Sequence, residues 1–388
     1  MRKLIICGLL AVFTTPALAD DVEGVAKSNE HAQVVLQLLA EFSPEGAASM
    51  GVDGLDEEIS DMSEGTYERG LKASRELLEE LQRRREGETL AKVRQDLDIL
   101  IQAVEDNIYT SELNRAQMLP YFNMSQMIFY GVRGLIDPQI SRDRYPAAVA
   151  RMEKYAGVAD GYEPITEQAK ARTIERFEVE GLIGPYRGQV EQDLQRAETF
   201  VTGIKDLLDG TDLEGWEATY DALAGQMRDY NDWVRAEILP RTRDDYRLPR
   251  DLYANALRNW GVDASPEDLI EQATKGYMDI RNEMEALAPQ IAAEKGWETT
   301  DYREIIAKLK AEGPLAGDTI LDHYHAVLRE IEAIIEREKI VTLPEREAGI
   351  RIASAAETAA QPAPHLDTPR LIGNTGEYPT FVIPQLVQ

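Results

Sequence analysis

From Thr89 to Asn114 the apolar residues Leu90, Val93, Leu97, Leu100, Ile101, Val104 and Ile108 recur at intervals of three and four, with charged residues between them. That spacing lays one apolar stripe along a long α-helix. Trp216, Tyr220, Leu223, Met227, Tyr230 and Val234 form a second stripe. Leu269, Ala273, Tyr277, Ile280, Met284, Leu287 and Ile291 form a third, and Ile320, Tyr324, Val327, Ile331 and Ile334 a fourth. Shorter helices are expected near 67–85, 145–156, 164–180 and 186–208. Start signals accompany several stripes. Thr211 with Glu214 and Asp301 with Glu304 have capping-box spacing, and Ser265-Pro266-Glu267-Asp268 supplies a cap, a first-turn proline and two acids at the positive helix end. Proline and glycine at Pro120, Pro138, Pro240, Gly261, Gly296 and Gly313-Pro314 separate the stripes. The pattern predicts a mostly helical, all-α chain.

The character changes after Pro344. Five prolines between Arg351 and Gln388 exclude a continuous helix. Tyr378 to Ile383 reads as a short extended segment, and the flanking Pro379 and Pro384 predict an edge strand. The polar residues on this proline-pinned stretch, Arg351, Glu357, His365, Arg370, Asn374 and Tyr378, together with Phe381, are the candidates for substrate binding, because loops held by rigid elements carry most binding groups.

The N-terminus bears on compartment. Arg2 and Lys3 precede a ten-residue apolar run, Leu4 to Phe13, and Ala17-Leu18-Ala19 has the small-x-small form of a cleavage site. This is the order of a secretory signal peptide cleaved after Ala19. The run is too short for a membrane anchor, so the mature chain is expected in the periplasm or secreted, without an anchor. The single cysteine, Cys7, leaves with the signal, so no disulfide or thiol chemistry is expected. The domains expected are 1–19 as signal peptide, 20–240 as an N-terminal helical region, and 241–388 as a second helical region ending in the Pro/Gly-rich segment.

Charge excludes one class of partner. The chain carries 70 acidic against 42 basic residues, a formal net charge of −28. Such a field repels phosphate backbones, so no nucleic-acid partner is expected. Nothing in the sequence fixes an oligomeric state.

The usual catalytic signatures are missing from the 388 residues. None of the four histidines, His31, His323, His325 and His365, begins a His-Glu-x-x-His zinc helix. His323 and His325 lie two apart on one helix and so point apart. There is no Gly-x-Ser-x-Gly elbow, no phosphate loop and no dinucleotide glycine pattern. No catalytic or metal-ligating residue is assigned. A carboxylate-pair hydrolase would need two carboxyls facing one cleft, and sequence cannot select such a pair.

Several segments carry a resemblance. Leu248-Pro249-Arg250-Asp251-Leu252-Tyr253, Trp260-Gly261-Val262 with the helix ending Arg281-Asn282-Glu283-Met284, Ile340-Val341-Thr342-Leu343-Pro344, Pro362-Ala363-Pro364-His365, and Pro369-Arg370-Leu371-Ile372-Gly373-Asn374-Thr375-Gly376-Glu377 resemble, in that order, the bacterial domain-of-unknown-function 885 family (DUF 885). Ser43-Pro44-Glu45-Gly46-Ala47 fits more loosely. The resemblance implies a zinc metallopeptidase-like protein of the gluzincin type on a neurolysin-like helical scaffold. Members of such a family have a His-Glu-x-x-x-Gly-His-type zinc helix after the segment matched here. The sequence stops at Gln388 before that helix, so a truncated chain, inactive alone, is expected. Zinc is implied for a complete member and no cofactor for this chain. By the same resemblance, Tyr378 to Ile383 would be the sheet edge to which a peptide substrate adds. The alternative is a non-catalytic helical protein of the cell envelope that binds a peptide or another partner.

Overall fold

The computed structural model describes residues 16–312, 319–343, 348–374 and 376–385, with side chains from Glu23 onward. The apolar run Leu4–Phe13 lies outside the described residues, as do Gly313–Asp318 and Pro344. Contacts divide the chain into two compact units, Met1–Arg115 and Ala116–Gln388. The cut expected at 240 is a different one. Around it the backbone is locked to the preceding helices, with the Arg187 amide donating to the Arg243 carbonyl at 2.8 Å and the Arg243 amide to the Pro185 carbonyl at 3.0 Å.

Unit 1 is helical. It comprises α1 (Pro16–Phe42), α2 (Pro44–Met50), α3 (Thr66–Gly87) and most of α4 (Ala91–Gln117). The stripe read between Thr89 and Asn114 forms its core. Val93, Leu97 and Val104 of α4 are buried against Leu77 and Leu81 of α3, with Val34, Val35 and Leu38 of α1 packed around them.

Unit 2 is built around a bundle: α5 (Met124–Arg133), α6 (Pro146–Tyr155), α7 (Ile165–Ile174), α8 (Arg187–Asp209) and α9 (Glu217–Trp233). The second stripe lies at its centre, with Trp216, Tyr220, Leu223, Met227, Tyr230 and Val234 all buried. Phe129 of α5 and Phe200 of α8 meet at 5.6 Å. Arg151 of α6, almost wholly buried, donates to the Gly131 carbonyl at 2.7 Å, meeting one of the carbonyls that a helix end leaves without an intrahelical partner. Local details differ from the sequence reading at two places. Thr211 does not cap α9. Its hydroxyl instead donates to the Leu208 carbonyl and accepts from the Leu213 amide, closing the end of α8 and delaying α9 to Glu217. The helix expected over 164–180 stops at Ile174 and continues as turns. The caps at Ser265 and Asp301 form as read, accepting from the amides of Asp268 and of Arg303 and Glu304.

Four further helices follow, α10 (Arg250–Asn259), α11 (Pro266–Lys295), α12 (Tyr302–Ala311) and α13 (Thr319–Glu338). A three-stranded sheet then forms from β1 (Gly349–Ile352), β2 (His365–Asp367) and β3 (Thr380–Ile383), with α14 (Ala355–Ala360) between β1 and β2. The mostly helical class with a short C-terminal β segment is thus the observed one. Among the described residues no helix is long and apolar enough to cross a membrane.

Met227 sits at the centre of the unit 2 bundle with none of its side chain exposed. Met227→Ala should lower the unfolding free energy by about 2–5 kcal/mol, the range for emptying a buried site of that size. Urea titration followed by circular dichroism checks this, and a change below about 1 kcal/mol would show the site to be loosely packed.

Candidate functional site

The sheet order is β1-β3-β2, with β3 parallel to β1 and antiparallel to β2. β3 is therefore the central strand, not the expected edge. Pro379 and Pro384 lie just outside the four paired residues, so neither removes an amide from the ladder. The edges are β1 and β2. Helix α13 packs on β1, and its Tyr324 meets Phe381 of β3 in a tilted pair with ring centroids 5.6 Å apart. β2 has a strand partner on one side alone among the described residues, and Leu366 at its middle is 55% exposed.

Register assigns the two faces. Arg351, Val382 and His365 stand opposite one another in adjacent strands, and Ile350, Phe381 and Leu366 form the next row. Alternation of side chains places these rows on opposite faces. The face of Arg351 turns to α5 and α14, where two guanidinium groups meet two carboxylates. Glu357 of α14 accepts from Arg133 Nε at 2.6 Å, and from Arg351 Nη2 at 2.7 Å and Nη1 at 3.0 Å. It also accepts from the Ser354 amide at 2.8 Å, while the Ser354 hydroxyl accepts from the Glu357 amide, which completes a capping box at the start of α14. Asp367 of β2 accepts from Arg351 at 2.7 Å and Arg133 at 2.9 Å. Asp137 lies 3.6 Å from Arg133, and His365 Nε2 lies 3.6 Å from Asp367.

Burial raises the Glu357 pKa, but the hydrogen bond from Arg351, the charge of Arg133 and the Ser354 amide outweigh it and hold the value down, from its ordinary 4.5 to about 2. Arg351 is held firmly protonated: burial opposes its charge, and Glu357 and Asp367 overcome that opposition. Tyr130, one turn before Arg133, has its phenol pushed up by burial, with the Glu357 and Asp367 carboxylates adding to the effect against the pull of Arg133.

Of the sequence candidates, Arg351, Glu357 and His365 converge here. Arg370 does not. It forms its own pair with Glu377, at 2.8 and 2.9 Å from Nε, and Asn374 braces that turn by donating to the carbonyls of Arg370 and Glu377. The Tyr378 backbone is pinned by Gln139, whose amide nitrogen donates to its carbonyl and whose amide oxygen accepts from its N–H. Phe381 is on the other face of the sheet. The sequence reading missed Arg133, Asp367 and Tyr130. Asp367 lay two residues from His365 and had a signal in its alternation with it. Arg133 is over 200 positions upstream, and no local pattern marks it.

A second buried polar set lies in the bundle. Asp193 of α8 accepts from Gln189 at 2.8 Å and from the Tyr121 hydroxyl at 3.1 Å. Burial pushes its pKa up, against hydrogen bonds from Gln189, Tyr121 and Asn123.

The sheet cluster does not fit a zinc ion. Both carboxylates already accept from two guanidinium groups, whose charge would repel a second cation. Among the described residues no three His, Cys, Asp or Glu side chains are grouped as a metal site.

Residues 44–384 match the family described as bacterial protein of unknown function (DUF885). The chain belongs to that family. No curated protein matches it. A solved structure from Shewanella oneidensis, described as "a putative lipoprotein of unknown function", is similar in fold, with a TM-score of 0.61 at 14% identity over 94% of this chain. The DUF885 chain spans 65% of the length of that structure.

The network gives a pH signature to this DUF885 sheet. Glu357 is lower in the folded state than in the unfolded one, so its charge stabilises the fold above about pH 4.5, and that contribution is lost as pH falls toward 2. Glu357→Gln should flatten the dependence of unfolding free energy on pH in this window. Denaturation at a series of pH values reads it, and parallel curves for the two proteins would exclude the network as the cause.

Proposed function

We propose that this chain is the peptide-binding portion of an exported, metallopeptidase-like protein of the cell envelope, and that it receives an extended peptide along the outer side of β2. The observation that carries this reading is the strand order. Among the described residues it leaves β1 and β2 each with one paired side; α13 packs on β1, while β2 lies next to a guanidinium–carboxylate cluster that fixes the strand in place. An edge so held offers main-chain donors and acceptors at little ordering cost. The acidic surface favours peptides rich in lysine or arginine. The signal-like N-terminus and the fold shared with the Shewanella structure described as a lipoprotein support an envelope location. The order of the DUF 885 motifs supports the metallopeptidase-like class.

The reading assigns these residues binding and not hydrolysis, since the 388 residues contain no His-Glu-x-x-His segment and the sheet carboxylates are engaged by arginine. That engagement also favours the second reading, a protein that binds peptides or envelope partners with no hydrolytic role.

A short fluorescein-labelled peptide of alternating lysine and valine should bind saturably by anisotropy and stay intact with or without added zinc. Its counterpart, N-methylated at every second residue, should bind about tenfold more weakly or worse, because two or more main-chain hydrogen bonds of about 1 kcal/mol each are removed. Equal affinity of the two peptides would exclude strand addition, and zinc-dependent cleavage would exclude the binding-only assignment.

A further inference from the structure

Unit 1 contains a cavity of about 540 Å³ between the C-terminal half of α1, the N-terminal half of α3 and the C-terminal half of α4. That volume is within the range of about 300–1,000 Å³ usual for small-molecule sites. Its floor is the unit's own core, Leu77 and Val104, flanked by Val35, Leu38 and Ile108. Its outer end is polar, with Thr66 and Tyr67 at the start of α3 and Ser111 near the end of α4. Gly70 leaves room beside the Phe42 ring, which a Cβ there would approach to 3.6 Å.

The lining is uncharged throughout, although the three helices that form it are rich in Glu, Lys and Arg. Charge begins just outside the polar end, where Arg115 lies over the Tyr67 ring at 4.6 Å and reaches Glu68 at 3.2 Å. An uncharged wall repels ionic groups, because burying an unpaired charge in it carries a large desolvation cost. Ser74 and Asn107 add two uncharged polar groups to a mostly apolar wall, and the hydroxyls of Thr66, Tyr67 and Ser111 gather at one end, which matches a molecule largely apolar along its length and hydroxylated at its head.

We propose that this cavity is a binding site for an uncharged single-chain amphiphile such as a monoacylglycerol, with the acyl chain on Leu77 and Val104 and the hydroxyl-bearing head at Tyr67 and Ser111. The site is independent of the peptide edge, and its occupancy does not require that edge to function.

The test uses the full chain and N-phenyl-1-naphthylamine, an uncharged apolar fluorophore. The probe should bind with a fluorescence increase and be displaced by 1-monolauroylglycerol more readily than by dodecyltrimethylammonium. Ala103→Phe and Gly70→Leu, on two different helices, each narrow the cavity and should raise the probe's Kd about tenfold, with thermal unfolding recorded to show that the variants are folded. Ile280→Glu with Ile331→Glu removes exposed apolar surface elsewhere in the chain and should leave the Kd unchanged. The proposal is overturned if the wild-type chain does not bind the probe, if either narrowing variant binds it normally while folded, or if the Ile280/Ile331 change abolishes binding. It is equally overturned if the lysine–valine peptide displaces the probe and the monoacylglycerol does not.

Discussion

Arg133 joins parts of unit 2 that the chain itself keeps far apart. It ends α5, at the heart of the bundle, and donates to Glu357 and Asp367, more than 220 positions later. Arg351 from β1 closes the same set from the other side. A buried ion pair recovers its desolvation cost only when geometry is good and the remaining lone pairs are met. Glu357 meets that condition through its three arginine contacts and the Ser354 amide. The network therefore acts chiefly on position: it sets where β1, β2 and α14 lie against α5. Gly203 of α8 belongs to the same fit, since a side chain there would run into Ala356 of α14 and the Phe129 ring.

How far the sequence disclosed this depends on the kind of information each feature needs. A helical period is local, and all four stripes became helices over nearly the residues read. What an apolar stripe is covered by is not local. The stripe from Trp216 to Val234 is buried throughout, whereas that from Leu269 to Ile291 leaves Tyr277, Ile280 and Leu287 more than half exposed. Their patterns are alike, because amphipathicity specifies a face and not its partner. The strand at Thr380–Ile383 was also legible, but its central place was not. Proline excludes a central position when it falls within the paired residues, and here the two prolines bracket them. In the site, Arg351, Glu357 and His365 were grouped because they share one short segment, while Arg133 was invisible because its partners are set by tertiary packing alone.

The exposed stripes also separate unit 2 into regions of different finish. The bundle buries Phe129, Tyr155, Phe200, Tyr220 and Tyr230, and its buried Arg151 and Asp193 form hydrogen bonds. By contrast, α11 and α13 present Ile270, Tyr277, Ile280, Val327 and Ile331 on their surfaces. The Shewanella structure shares this fold over a part of its length and extends beyond it.

Charge distribution connects these surfaces. A net charge of −28 keeps most of the exterior hydrated and hostile to anions. The cavity of α1, α3 and α4 has an uncharged lining, whereas the apolar residues exposed on α11 and α13 stand among exposed acids such as Glu271, Glu283 and Glu330. The β2 edge follows a different logic, because Asp367 is neutralised from beneath by Arg133 and Arg351. Under the proposed peptide binding, neutralisation would leave the backbone of β2, and not a local excess of charge, as the feature the peptide meets. Recognition there would rest on main-chain geometry, with the acidic exterior acting over longer range to select the sign of what approaches.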